Sequence, residues 1–580
     1  MKKTSSKNDE TYIKRFLSGL FPSAVLTLLL LVIVPLDTVL SNQKYLALTP
    51  SMFFWKFLVV ALILSCVGAS ILAIFRGVAF RFLVCSVSGI CLALFLQLLF
   101  FNTGLPTLDG TKIDLSSRQT AVILNWIVWG IIILLPFLIS VIFRVNYKSV
   151  ILIVCLSVFS AQTVSVVSQA ITADDSRYNE SFVLNGYDQY TVSSKENILV
   201  FSLDFLSRDL FDTILETYPE TQQEYKDFLY FNNVCGSYDA TFPSLCALYT
   251  GYPYDGSLGF SDYFDTAWNS EKANSFYSFL HEKGYKNMIF AEPEYCAGYV
   301  GNMSGKIDNV IRGKKQLTSS AITRLLRIVC YRALPLGLKP SVIVISDGRP
   351  VTADAINEAI QYSPDEPGIE YVTMELESRF YVEMQERGIK IENDFPVYSW
   401  SHLLGAHGSY TLNEYGMPGD PTDYVIQTRG FLFAIARLMD SLKENGVYDD
   451  TAIIITADHG WDEQSFVPVL IKPFHTMQDS MRISSVPASQ KDIMPTIVEL
   501  LGEDSSPYGR SVYSYSENED PERTYMRLAY SDAYADPDSF HYYGQNNILK
   551  KYTFHGDQNV LIEKWKNDDC ENVKLKDSFY

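Results

Sequence analysis

The chain has 580 residues, 48% of them hydrophobic and 14% aromatic, and a formal net charge of −19 at pH 7. That length and apolar content supply more than one domain and a large core, and the charge is split: residues 1–172 hold 13 Lys and Arg against 5 Asp and Glu, and the remainder 34 against 61. Such an acidic remainder excludes nucleic acid as a partner and repels an anionic membrane surface, so an anionic substrate has to be met locally by a metal, Lys or Arg.

Five segments, at about 16–36, 53–75, 80–101, 120–143 and 149–171, are long and apolar enough to cross a bilayer. Five such runs in succession, nearly free of charge, do not read as buried core helices. The first alone has the length of a signal peptide, and the four behind it make it an uncleaved anchor. Lys2, Lys3, Lys7, Lys14 and Arg15 precede the first span, Arg76 and Arg81 bracket the second connection, and Arg144 and Lys148 the fourth. The other two loops carry few or mixed charges, so the positive-inside rule places the N-terminus in the cytoplasm and everything after about residue 172 outside.

Residues 173–195 are polar and read as a juxtamembrane linker. Over 196–515 strands alternate with helices. Strands are expected at 197–203, 228–234, 288–291, 342–345, 396–400, 451–457 and 467–473, and helices at 209–217, 424–445 and 491–501. That alternation predicts an α/β domain with a mostly parallel sheet between helices. Residues 516–580 are Tyr-rich and polar and suit a small antiparallel C-terminal subdomain.

Three strand ends carry the chemistry. Asn197–Leu203 is apolar and ends in Asp204; Thr451–Ala457 is apolar and ends in Asp458, His459 and Gly460. The expected strand 228–234 leads into Thr241-Phe242-Pro243-Ser244-Leu245-Cys246-Ala247-Leu248-Tyr249-Thr250-Gly251, where a hydroxyl meets a helix entry. Taken alone, Thr241 also suits a plain N-cap followed by a first-turn Pro. Parallel strands carry ligands at their carboxyl ends, and Asp, Thr and Asp-His together make a divalent-metal pocket of mixed O and N donors that would activate the Thr hydroxyl.

Between the strands at 396–400 and 451–457 lies Ser401-His402-Leu403-Leu404-Gly405-Ala406-His407-Gly408-Ser409-Tyr410. Either His suits anion contact or protonation of a leaving oxygen, and either equally suits a structural hydrogen bond. Lys472 reads as a strand-end side chain reaching for solvent, and His475 behind it as a second candidate to approach the site from the neighbouring strand. Trp461, Asp462 and Glu463 suit a first helical turn. Of nine Cys, Cys66, Cys85, Cys91 and Cys155 fall in the spans and Cys235, Cys246, Cys296, Cys330 and Cys570 outside them; no Cys-x-x-Cys occurs, which argues against a zinc knuckle.

The Thr-x-Pro-Ser-x-x-x-Leu-x-Thr-Gly stretch resembles the sulfatase nucleophile motif, with Thr241 at the nucleophile and Leu245 where sulfatases carry Arg. The order Asp204, Thr241, Asp458-His459 resembles the one-metal core of the alkaline phosphatase and sulfatase superfamily, over roughly residues 195–515. A Thr cannot become the sulfatase aldehyde, and its presence resembles the membrane phosphotransferases of that superfamily, the lipoteichoic acid synthases and phosphoethanolamine transferases. The His402 to Tyr410 stretch is similar to their His-containing loop, which implies His407 near the phosphoryl group. Cys235 and Cys246 flank Thr241 as does a bracing disulfide in the phosphoethanolamine transferases. Asp204 departs from the Glu usual in both transferase families.

The resemblance implies an extracytoplasmic sulfatase-like domain with Asp204, Thr241, Asp458 and His459 as metal ligands, Thr241 as nucleophile, and His407 and His402 at the substrate. The metal it implies is Mn²⁺ or Zn²⁺, with Mg²⁺ or Ca²⁺ as further options. The expected reaction moves a phospho-headgroup, phosphoglycerol first and phosphoethanolamine second, from a membrane lipid donor to an envelope glycan or glycolipid. Hydrolysis of a phosphate or sulfate ester ranks third, and a catalytically silent envelope scaffold is the remaining alternative.

Overall fold

The protein is seen in a computed structural model that describes residues 11–42, 46, 48–102, 115, 118–172, 182–313, 315–343, 360–362, 372, 379–408, 410–419, 422–460, 464–528 and 548–575. Lys2, Lys3, Lys7, Ser409, Trp461–Glu463 and residues 173–181 of the expected linker lie outside these. The chain divides into two compact units, one of residues up to Glu180 together with Lys314–Ser363, the other Ser181–Gly313 together with Pro364–Phe579.

The first unit holds five apolar helices of membrane-spanning length: α1 (Tyr12–Ser41), α2 (Pro50–Ile74), α3 (Gly77–Phe101), α4 (Gln119–Ile142) and α5 (Tyr147–Thr172). α1 and α5 run past both expected limits, whereas α2, α3 and α4 start one to three residues early and end at, or one residue before, theirs. Large apolar side chains such as Ile63, Ile131 and Ile153 point outward, as a lipid-facing surface requires. Polar groups inside are paired: Gln97 Oε1 accepts from Asn125 Nδ2 at 3.0 Å and Trp129 Nε1 at 2.9 Å. The helix Ser319–Ala333 belongs to this unit. Its Ala321, Leu325 and Ile328 pack with Val39, Phe53 and Phe57, and its Arg332 pairs with Asp37 at 2.6 Å.

The strand expected at 342–345 is not formed. Val342 and Ile343 finish a short helix, Lys339–Ile343, in this same unit, and residues 344 and 345 lie outside the described residues. The described half of the short β-branched run that suggests a strand continues a helical turn that begins at Leu336.

The second unit is built on an eight-stranded sheet. Its strands are β1 (Asn197–Leu203), β2 (Leu229–Cys235), β3 (Lys286–Phe290), β4 (Val397–Leu403), β5 (Thr451–Ala457), β6 (Phe466–Lys472), β7 (Arg482–Ser484) and β8 (Ala488–Ser489). The order is β7-β2-β6-β5-β1-β4-β3, with β8 also on β2. β5, β1, β4 and β3 run parallel, and β7 and β8 run parallel to β2. β6 is antiparallel to both β5 and β2, because the connection from Asp458 to Ser465 is too short for a parallel crossover.

Every residue of β1, β4, β5 and β6 is buried, which accounts for the largely apolar runs of β1, β5 and β6, and each fully buried Ile, Leu or Val contributes ~1.5–3 kcal/mol. Helix α6 (Arg208–Thr217) starts at the Ser207 cap, whose hydroxyl accepts from Leu210 N at 3.1 Å. Helices α7 (Thr241–Thr250), α8 (Tyr424–Glu444) and α9 (Ile493–Leu500) follow, α8 burying Phe431, Leu432, Ile435, Leu438 and Leu442.

The C-terminal sheet is antiparallel, β9 (Arg523–Leu528), β10 (Ile548–Phe554) and β11 (Glu571–Lys574). Buried Arg523 ties it to the main sheet. Its guanidinium lies over the rings of Phe466 and Phe554 and donates to Asn233 O at 3.0 Å and to Gly556 O.

Candidate functional site

The parallel register of β4, β1 and β5 brings their carboxyl ends level. Leu403 pairs with Leu203, and Leu203 with Ala457, so Asp204 and Asp458 leave the sheet side by side. The site sits there, at the carboxyl ends of adjoining parallel strands.

Two glycines let the backbone close around it. A Cβ on Gly405 would lie 2.4 Å from Asp204 O and 2.7 Å from Asp204 N, and its φ of +53° is left-handed. A Cβ on Gly460 would lie 1.9 Å from Gln464 O. The first holds the His407 loop against Asp204, where Ala406 N donates to Asp204 O at 2.8 Å. The second lets the chain turn back toward β6.

Thr241 is delivered by the turn after β2. Ala240 and Phe242 are both extended, so Thr241 stands just ahead of the regular turns of α7. Phe242 is held among Phe260, Phe264, Tyr254 and Tyr263, with ring centroids 5.0–5.9 Å away. That aromatic box fixes the residue next to the candidate nucleophile. Gln490, fully buried, ties the two halves together: Ser237 N donates to its Oε1 at 2.9 Å, and its Nε2 donates to Ala457 O at 2.8 Å and Asp458 O at 3.1 Å.

The ligand atoms converge. His459 Nε2 lies 3.4 Å from Asp204 Oδ1, 3.4 Å from Asp458 Oδ2 and 3.5 Å from Thr241 Oγ1. Donor atoms of Asp204, Asp458 and His459 all lie within 4.8 Å of one another, and the three residues are buried. His459 Nδ1 is 2.9 Å from Gly460 O, and a carbonyl only accepts, so Nδ1 carries the proton. In the neutral ring the Nε2 lone pair then faces two carboxylates. Asp458 Oδ1 accepts from Phe205 N at 3.3 Å and His459 N at 2.7 Å, while Oδ2 takes no hydrogen bond among the described residues. Three lone-pair donors and a hydroxyl aimed at one point fit a divalent cation, with a donor set of hard oxygens and one imidazole.

Phe205, in the left-handed region at φ +58°, places its ring between two imidazoles, 4.3 Å from His459 and 5.5 Å from His407. His407 Nδ1 lies 2.6 Å from Gly408 O, which turns Nε2 outward. His402 lies inside β4, 3% exposed, with Nδ1 3.2 Å from Ser202 Oγ. Burial holds it below the usual imidazole range, against the pull of the Asp458 carboxylate. It is a hydrogen-bonded sheet residue beneath the site.

Neither Lys472 nor His475 approaches the centre. Because β6 is antiparallel, its last residue Lys472 pairs with Ile453 near the start of β5, at the far edge from Asp458. Lys472 does not reach solvent: it is fully buried and donates to Tyr448 O and Thr451 O at 2.7 and 2.8 Å, and burial lowers its ammonium to about 8. Cys235 and Cys246 are both buried free thiols, pushed up to about 12 by burial.

Three contributors carry no local sequence signal. Gln490 and Phe205 sit in otherwise ordinary stretches. Asp239 is buried two residues before Thr241 and accepts from Leu528 N at 2.9 Å, with Arg527 Nε 3.7 Å away. Burial pushes its carboxyl up to about 6.

No protein-family model and no curated protein matches the chain. Solved structures similar to it include a protein in the alkaline phosphatase superfamily from Vibrio parahaemolyticus, 15% identical, covering 67% of this chain and 83% of that one with a TM-score of 0.36. A phosphonate monoester hydrolase from Silicibacter pomeroyi is 14% identical, covering 65% and 88%, with a TM-score of 0.33. A lipoteichoic acid synthase from Listeria monocytogenes is 13% identical, covering 68% and 99%, with a TM-score of 0.33.

Proposed function

We propose that this protein is a membrane-anchored, metal-dependent phosphotransferase. It moves a phospho-headgroup, phosphoglycerol from phosphatidylglycerol, to an envelope glycan or glycolipid through a phospho-Thr241 intermediate. The observation that carries the reading is the convergence of Thr241 Oγ1, His459 Nε2 and the Asp204 and Asp458 carboxylates on one point.

Asp204, Asp458, His459 and Thr241 would hold a divalent ion, Mn²⁺ or Zn²⁺, which would offset the charge of phosphate oxygens and lower the pKa of the Thr241 hydroxyl. In the first step Thr241 Oγ forms a bond to phosphorus as the lipid oxygen–phosphorus bond breaks, and the proton lost by Thr241 ends on the lipid alcohol. In the second an acceptor hydroxyl oxygen bonds to phosphorus, the Thr241 Oγ–phosphorus bond breaks, and the acceptor's proton returns to Thr241. His407, with Nε2 turned outward beside Phe205, is positioned to hand that proton across or to contact a phosphate oxygen. Asp239 and Gln490 position the Thr241 turn.

Five spans suit an enzyme whose donor is a lipid, and the positive-inside count supports a catalytic unit outside the cytoplasm. The test is intact-mass analysis of the full chain in lipid nanodiscs with Mn²⁺ or Zn²⁺ and phosphatidylglycerol or phosphatidylethanolamine, beside Thr241→Ala. The expected result is an adduct of glycerophosphate mass that Thr241→Ala lacks. An ethanolamine phosphate adduct would assign the other headgroup. Turnover of a simple phosphate or sulfate ester with no adduct would make the protein a hydrolase, and no adduct, turnover or metal binding would make it a scaffold.

A further inference from the structure

A cavity of about 240 Å³ opens in the second unit, walled by Ser207, Asp209, Thr213, Tyr424 and Gln464, with Leu210 and Val425 supplying apolar surface. Three of its lining residues adjoin segments of the centre. Ser207 follows Asp204 by three residues, with Phe205 of the imidazole sandwich between them. Gln464 lies on the stretch whose carbonyl presses on Gly460, and its Oε1 accepts from Ser207 Oγ at 2.6 Å. Tyr424 packs against Tyr410 of the His407 loop, with ring centroids 6.4 Å apart. The cavity is thus bounded by the continuations of the segments that carry Asp204, His407 and Asp458.

Its chemistry is the opposite of a phosphate site. The wall holds three hydroxyls, those of Ser207, Thr213 and Tyr424, with an amide and a carboxylate, and no cationic side chain among the described residues. The guanidinium of Arg208, next to Asp209 in the chain, is engaged by Asp209 at 2.8 Å and lies over the Phe466 ring. Asp209 also accepts from Gln558 Nε2 at 3.1 Å, so its carboxylate is fixed in place. Tyr424 is 46% exposed and offers a ring face beside these acceptors and donors. An anion gains nothing there, whereas a neutral molecule dense in hydroxyls finds hydrogen-bond partners on one side and an apolar face on the other.

We infer that this cavity is the acceptor subsite and takes a neutral polyol, a sugar ring or a glycerol end, whose hydroxyl receives the group held on Thr241. The inference rests on the proposed transferase reading, and its small volume suits one such unit rather than a lipid.

Two measurements on the full chain in nanodiscs with Mn²⁺ test it. The first is direct binding of methyl glucoside and of glycerol by saturation-transfer NMR to Thr241→Ala, which cannot turn over. Binding of either polyol that falls at least tenfold on adding Thr213→Trp, which fills the cavity, or Tyr424→Ala, which removes the ring, supports the subsite, and which polyol binds separates a glycan from a glycerol polymer. Absence of binding, or binding that both substitutions leave unaltered, overturns it. The second follows the Thr241 adduct as it partitions between polyol and water. Diversion to polyol should fall about tenfold relative to hydrolysis in either variant, and an unaltered partition overturns the assignment. Should no adduct form in any protein while Thr213-dependent polyol binding persists, the transferase chemistry fails and the polyol site stands.

Discussion

The Nε2 atom of His459 stands 3.5 Å from the hydroxyl oxygen of Thr241, although the two residues are 218 positions apart in the chain. They meet because Thr241 is delivered by the turn after β2 and His459 by the end of β5, with Gln490 hydrogen-bonded to both stretches. Nothing local to either residue fixes that distance.

With no cation between them, the Asp204 and Asp458 carboxylates repel within a buried pocket. Asp458→Asn should therefore raise the melting temperature of the full chain in EDTA. Added Mn²⁺ should raise the melting temperature of the unaltered protein and leave that of Asp458→Asn nearly unmoved, reversing their order. Thermal melts of both proteins with and without metal check this.

Gly405→Ala places a methyl group against the Asp204 backbone at a left-handed φ. The substitution is expected to cost ~2–4 kcal/mol and to weaken Mn²⁺ binding, because the strand end carrying Asp204 must shift. Calorimetric titration with Mn²⁺ and a thermal melt read the two effects.

Asp492 is buried, and burial pushes its carboxyl up to about 6, against the Ser489 N–H that donates to it at 2.8 Å. In the unfolded chain the same group ionises near pH ~4. Between those values the folded state binds more protons, so this group's contribution to stability falls as pH rises and its full cost, on the order of 3 kcal/mol, is present by neutral pH. Asp492→Asn keeps the acceptor for Ser489 N and removes the titration. Its melting temperature should gain on that of the unaltered protein from about pH 4 to about pH 7.

Arg523→Met removes the buried guanidinium between Phe466 and Phe554 and strands the carbonyls of Asn233 and Gly556. A loss of ~3 kcal/mol is expected, centred on the C-terminal sheet. Hydrogen exchange should show β9 and β10 losing protection before β1 and β5 do.

Much of this was legible in the chain. The apolar spans and the buried strands β1 and β5 announce themselves because an unbroken apolar run has few alternatives in lipid or in a parallel sheet. The Asp204, Thr241 and Asp458-His459 stretches stand out because polar residues end those runs. Strand direction is legible only in the link: nothing within Phe466–Lys472 marks it as antiparallel, but the short connection from Asp458 to Ser465 rules out a parallel crossover, and that direction sends Lys472 and His475 to the edge away from Asp458. Gln490 and Asp239 are also silent in sequence, since their partners are main-chain groups brought close by the fold. Val342 and Ile343 favour a strand by composition, yet they continue a helical turn that begins at Leu336.

The chain crosses from one unit to the other more than once: it leaves the span-bearing unit after residue 180, returns for Lys314–Ser363, and leaves again. Cutting the protein at the end of the last span therefore does not release an intact soluble piece. A fragment beginning near residue 182 would carry the Ser319–Ala333 helix without Val39, Phe53, Phe57 or the Asp37 partner of Arg332, exposing Ala321, Leu325 and Ile328 as a sticky face. Secretion or recombinant production of the second unit alone would require that fifty-residue excursion to be removed and its ends rejoined.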